Sequence, residues 1–192
     1  MRTVVLASGS IYRRELLGRL GIEFESASAD IDESRRPGES PGDMVERLSF
    51  EKAQKLACRY PESLIIGSDQ CAVIGEEILG KPGNFDQAFR QLRKAAGKTV
   101  VFHTGLCLLD ARDGSRQLDD VEFQVRFREL GDDRIAAYLR REQPWDCAGS
   151  FKSEGLGVAL FASMRGDDPW ALMGLPLIRL VTMLEAAGLR VL

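Results

Sequence analysis

The stretch LIIGSDQCAVIG, Leu64 to Gly75, constrains the fold more than any other part of the chain. Both ends are apolar and rich in β-branched residues, the pattern of a strand buried on two faces. An ionisable Asp69 and an amide, Gln70, nevertheless stand in its middle. A buried carboxylate is costly unless it is paired or bound to a cation. On a strand Asp69 shares a side with Gly67 and Cys71, two small residues expected to leave room in front of it. The bland alternative is a carboxylate satisfied by a buried arginine or by backbone amides.

The rest of the chain alternates around this strand. RTVVLA reads as a short buried strand, SGS as a tight connection, and IYRRELLGRL as a helix stopped by Gly21. IEFESAS alternates as a second strand, and ADIDESRRPGESPGD has loop composition. Ser40, with Pro41 at the first turn, opens a helix running to about Tyr60. Asn84 is placed to cap NFDQAFRQLRKAAG, and Gly97 to stop it. KTVVFHTGLCLLD and DVEFQVRFREL predict an antiparallel hairpin across ARDGS. A short helix over DDRIAAYLRRE and a C-terminal helix interrupted near Gly174 and Pro176 complete an α/β chain with a mixed sheet. At 192 residues this is one domain, residues 1–192, with room for two lobes.

Composition narrows the chemistry. With 44% hydrophobic and 29% charged residues the chain is of the soluble globular class. A net charge of −3 argues against a general nucleic-acid binder, which needs a basic surface. No apolar stretch reaches the length of a membrane span, and the N-terminus meets arginines at once, which together predict a cytoplasmic protein. The four cysteines form no C-x-x-C pair. The single histidine, His103, excludes any chemistry that needs two. Catalysis would rest on carboxylates, lysines, arginines and a hard metal ion.

Several residues fit such chemistry. SGSIYRR, Ser8 to Arg14, lies where a strand hands over to a helix, a natural anion site because the first N–H groups are unpaired. Arg13 sits four residues before Leu17, on the core-facing side of the open helix end. Lys52 lies four residues from both Leu48 and Leu56, on their apolar stripe. A lysine there ordinarily snorkels; a head turned into a cleft instead binds phosphate. Glu33 stands in an acidic loop, Lys81 in the tight turn LGKPG, and Lys152 and Glu154 among the glycines of GSFKSEGLG, which suggest close backbone approach. A solvated surface position or a plain loop is the ordinary reading of each alone. Carboxylates with many cations and no histidine ligands suit Mg²⁺-dependent chemistry on a polyphosphate.

At this point the sequence resembles the Maf nucleotide pyrophosphatases. LASGSIYRRELL, DIDES, RLSFEKA, LIIGSDQ, LGKP, VVFHTGL, CAGSFKSEG and MGLPLIRL occur in family order over nearly the whole chain. GSDQ and AGSFKSEG resemble the 7-methyl-GTP branch rather than the dTTP/UTP branch. The resemblance implies an ITPase-like (Maf-like) fold with a mixed central sheet and a cleft between two lobes, commonly as a homodimer. It implies hydrolysis of a nucleoside triphosphate to a monophosphate and diphosphate with a divalent cation, Mg²⁺ or Mn²⁺. It also implies Asp69 as the catalytic carboxylate, Glu33 beside it for metal or water, and Ser8, Arg13, Lys52, Lys81 and Lys152 on the phosphates. Tyr12, Gln70 and Glu154 match the base-selecting positions. An aromatic face at 12 suits a base made cationic by N7-methylation, by about 0.5–2 kcal/mol; the branch is expected to carry tryptophan where this chain has Tyr12. The alternatives are dTTP/UTP or other non-standard nucleotide turnover, and a nucleotide-binding regulator of cell division without turnover.

Overall fold

A computed structural model describes residues 2–192. Seven strands form one mixed sheet in the order β2-β1-β3-β5-β6-β7, with β4 paired to β3. They are β1 Val4–Leu6, β2 Phe24–Ser26, β3 Leu64–Ile74, β4 Glu77–Leu79, β5 Thr99–Asp110, β6 Arg116–Phe127 and β7 Phe161–Arg165. β1 is parallel to both β2 and β3, while β4 and β7 run antiparallel to their partners. Five helices accompany them: α1 Ile11–Gly18, α2 Pro41–Ala57, α3 Phe85–Ala95, α4 Asp132–Glu142 and α5 Leu177–Ala186.

The chain divides into two compact units. The first contains the residues up to Gln70, Thr104–Val121 and Asp168–Leu192. Its strands alternate strictly between two cores, as the two-residue period of a strand demands. Val4, Leu6, Leu64, Ile66, Leu106 and Leu108 pack with Leu16 and Leu17 of α1 and with Leu180, Met183 and Leu184 of α5. Val5, Ala7, Ile65, Cys107 and Leu109 pack with Ala53 and Leu56 of α2. Burying each larger side chain contributes about 1.5–3 kcal/mol.

Gly67 does not clear space for a ligand, contrary to the expectation from its neighbourhood with Asp69. A Cβ at Gly67 would lie 1.9 Å from the carbonyl oxygen of Ser49, and one at Gly105 would lie 2.2 Å from that of Val45. The room left by the two glycines, on β3 and β5, is filled by the backbone of α2. The helix begins as anticipated: the Ser40 hydroxyl accepts from the Asp43 N–H at 3.1 Å, with Pro41 in the first turn.

The second unit comprises Cys71–His103 and Glu122–Asp167. Phe102, Phe127, Phe151 and Phe161 meet edge to face, with centroids 4.8–5.6 Å apart. Asn84 caps α3, as read from the sequence, by accepting from the Gln87 N–H at 3.0 Å. Two details differ from the sequence reading: β6 starts at Arg116 rather than at Asp120, and β7 was not anticipated. The interruption read near Gly174 and Pro176 is present, with the C-terminal segment split into a 3₁₀ turn, Pro169–Met173, and α5. The split has a definite cause: Gly174 takes φ +96°, and Pro176 cannot continue a helix from the preceding turn.

Candidate functional site

The first unit gathers most of the polar residues singled out in the sequence. Lys52 is only 6% exposed, so its head does not snorkel to water. Its Nζ donates to Asp69 Oδ1 at 2.6 Å and pairs with Glu33 Oε1 at 2.7 Å. Two carboxylates, one from the centre of β3 and one from the segment before α2, therefore converge on a single ammonium. The Lys52 stem lies on the buried side of α2, and α2 sits against β3 only because Gly67 has no side chain.

Arg13 enters the same neighbourhood from the first turn of α1. Burial pulls its guanidinium below the ordinary value, and the charges of Asp69 and Glu33 pull it back up. Its Nε donates to the Gly174 carbonyl at 2.7 Å, and Ser68 Oγ donates to the same oxygen at 2.9 Å. Ser8 is buried, and its Oγ accepts from the Ser10 N–H at 3.1 Å, shaping the strand-to-helix turn. Ser10 in turn caps α1. Tyr12 is half-buried in that first turn.

The segment carrying Glu33 has no regular secondary structure but is well anchored. Arg47 of α2 holds the Glu39 carboxylate with two N–H groups, at 2.5 and 2.8 Å, and donates to the Ser34 carbonyl at 3.1 Å. These Arg47 bonds, opposed by desolvation and aided by the Arg36 N–H, hold the Glu39 carboxyl down at about 2.

Gln70 is committed on one side. Its Nε2 donates to the carbonyls of Ala171 at 2.7 Å and Leu172 at 3.3 Å, and to Thr104 Oγ1 at 3.0 Å. Thr104 and Asp168 were not picked out from the sequence. Asp168 is 3% exposed and accepts from the N–H groups of Trp170, Ile178 and Arg179, fixing the turn between β7 and α5. An aspartate just before a proline at a helix start is a capping signal that the sequence does carry.

Lys81, Lys152 and Glu154 belong to the second unit. Lys81 is exposed after β4, and Glu154 is exposed with its Oε2 accepting from Ser153 Oγ at 3.3 Å. The Lys152 N–H donates to Tyr138 Oη at 3.0 Å, and its Nζ to the Glu142 carbonyl at 3.0 Å. The glycines around Lys152 do mark a close approach, but to the protein itself. A Cβ at Gly155 would meet the Glu142 carboxylate at 2.7 Å, and one at Gly157 the Lys152 carbonyl at 2.2 Å.

Two carboxylates, a buried lysine and a half-buried arginine in one unit can orient a water, take up a proton and hold a phosphate. Asp69 and Glu33 offer only oxygen donors, the set that hard divalent cations prefer, and both already meet one positive charge. No described helix is long and apolar enough to cross a membrane.

Comparison with known proteins places this arrangement in a family. Proteins named 7-methyl-GTP pyrophosphatase are similar over full length. One from Pseudomonas fluorescens is 57% identical over 188 residues, covering 98% of both chains. One from Nitrosococcus oceani is 54% identical over 190 residues, covering 99% of this chain and 96% of that one. One from Pseudomonas aeruginosa is 56% identical over 191 residues, covering all of both. Among solved structures, a HAM1 protein from Coxiella burnetii aligns over 97% of this chain and 100% of its own, with a TM-score of 0.55 at 14% identity. That likeness speaks for the ITPase-like α/β fold alone. The family described as Maf-like protein matches residues 3–187, and with relatives more than half identical along their whole length, the chain belongs to the Maf family.

Proposed function

We propose that this chain is a nucleoside triphosphate pyrophosphatase that hydrolyses 7-methyl-GTP to 7-methyl-GMP and diphosphate. The observation that carries the reading is the convergence of Asp69 and Glu33 on Lys52, with Arg13 within electrostatic reach. The names of the full-length relatives supply the substrate. In this reading Asp69 orients a water and accepts its proton as the oxygen attacks the α-phosphorus. The bond from that phosphorus to the bridging oxygen breaks, and diphosphate leaves with the electron pair. Ser8, Arg13, Lys52, Lys81 and Lys152 hold the phosphates and oppose the charge that grows on the leaving oxygens. Asp69 and Glu33 would hold a divalent cation, Mg²⁺ or Mn²⁺, which supplies further charge neutralisation when bound. Tyr12, Gln70 and Glu154 select the base: an aromatic face and a carboxylate both favour a ring made cationic by N7-methylation. The enzyme works in the cytoplasm, where nucleotides are pooled, as a homodimer of single-domain chains.

A diphosphate-release screen over 7-methyl-GTP, GTP, dTTP and UTP, with Mg²⁺ and with Mn²⁺, tests the activity. The expected order puts 7-methyl-GTP first; a preference for the pyrimidine nucleotides refutes the assignment. Asp69→Asn is expected to lower kcat by about 10²–10⁴-fold, with an unchanged circular dichroism spectrum. Turnover near that of the wild type removes Asp69 from the mechanism.

A further inference from the structure

Gln70 has one amide, and its two ends are not interchangeable here. The carbonyl oxygens of Ala171 and Leu172 can only accept, so the end facing them must be the nitrogen. Thr104 completes the arrangement from the neighbouring strand β5, where it is fully buried. Its single hydroxyl proton goes to the Ala171 carbonyl at 3.0 Å, which leaves Oγ1 to accept from Gln70 Nε2 at 3.0 Å. A flipped amide would set the Gln70 oxygen against two carbonyls and a hydroxyl whose proton is already given away. Gln70 Oε1 is left as the end of the amide that the turn does not claim, on a half-buried side chain that follows Asp69 along β3.

We propose that Thr104 is a positioning residue for base selection: it locks the Gln70 amide with nitrogen inward, so that Gln70 meets the substrate as an acceptor only. Where that acceptor faces N1 of the base it favours a ring nitrogen that carries a proton, as in guanine, over adenine, whose N1 is itself an acceptor and whose donor is the exocyclic N6 amino group. A free glutamine can turn either end of its amide to the base; one fixed in this orientation favours guanine. The 3₁₀ turn Pro169–Met173 thereby becomes part of the specificity apparatus through its backbone, without needing a side chain in contact with the base.

This inference rests on the proposed 7-methyl-GTP activity, and the test separates the two. Steady-state kcat and KM are measured for 7-methyl-GTP and ATP with the wild type, Thr104→Val and Thr104→Ser. Losing one neutral hydrogen bond corresponds to about threefold to tenfold in binding. Thr104→Val is expected to raise KM for 7-methyl-GTP by that factor, with kcat within about twofold and ATP unaffected. Thr104→Ser keeps the hydroxyl and is expected to restore the wild-type KM. Equal losses on both nucleotides, or an unchanged KM for 7-methyl-GTP, overturn the proposal. A second arm needs no variant: the wild type is assayed with N1-methyl-GTP beside GTP. A KM raised at least about tenfold is expected from the lost donor and the added methyl, and an equal KM overturns the acceptor role. A wild type that ignores 7-methyl-GTP refutes the activity itself, whereas one that cleaves it with Thr104→Val indistinguishable refutes only the positioning role.

Discussion

Replacing Gly67 with alanine adds one methyl group at the point where β3 and α2 touch. The new Cβ would sit 1.9 Å from the Ser49 carbonyl oxygen, 2.9 Å from its carbon and 3.1 Å from the Ala53 nitrogen. All three are backbone atoms, so no side chain can swing aside. Reaching even 3.0 Å from the oxygen requires the helix or the strand to retreat by about 1.1 Å. Lys52 is three residues beyond Ser49, and its bond to Asp69 is only 2.6 Å long, so a retreat of that size takes the pair out of hydrogen-bonding range. Overpacking of this kind costs about 1–3 kcal/mol, which for a chain of this length lowers Tm by about 2–12 °C. The effect on activity is expected to be larger, about 10²-fold in kcat/KM, because displacing groups with the roles proposed for Asp69 and Lys52 by about 1 Å has that consequence. Thermal unfolding and diphosphate release on the same preparation give both numbers. Gly105→Ala, facing Val45 one turn earlier, is the companion variant and should behave alike. A Gly67→Ala protein with wild-type Tm and turnover would refute the claim that this glycine seats α2 and thereby places Lys52.

Other outcomes follow from the same geometry. The Glu39 carboxyl titrates at about 2 in the folded chain, below its ordinary 4.5, so its contribution is complete above that ordinary value and is lost as pH falls towards 2. Glu39→Gln should therefore flatten the wild type's loss of stability between about pH 4.5 and 2, followed by acid titration of the far-ultraviolet signal; an unchanged acid limb contradicts the Arg47–Glu39 clasp. Asp168→Ala strands three backbone N–H groups and should cost about 2–4 kcal/mol, read as a shift in the urea midpoint. A shift below about 0.5 kcal/mol would show that the turn is held by other means.

The site was legible where chemistry is local to one element. Asp69 on an apolar strand and Lys52 on an apolar stripe both announce themselves, because a charge in a buried pattern needs a reason. The caps Ser40 and Asn84 were equally plain, since capping depends on residues three apart. What the sequence concealed depends on approach from afar. Nothing near Gly67 says that the carbonyl of Ser49 will fill its vacancy, and nothing near Gln70 says that Thr104 and the backbone of Ala171 will claim its nitrogen. β7 escaped notice because only Phe161 of its five residues is buried, so no alternation marks it. β2 shrank to three residues because it pairs only along the three residues of β1, Val4–Leu6.

The Gly174 carbonyl, shared by Arg13 and Ser68, has a consequence in time as well as space. It joins the first helix of the chain to a turn 161 residues later, and Gln70 reaches the same turn across 101 residues. During synthesis the nascent chain can assemble β1, α1, α2 and β3 and bring Lys52 to Asp69 while Arg13 and Gln70 still lack their anchors. Those two side chains find their places only when the turn from Pro169 to Gly174 has left the ribosome. The N-terminal half thus contributes most of the charged groups, and the C-terminal turn decides when they become an ordered site.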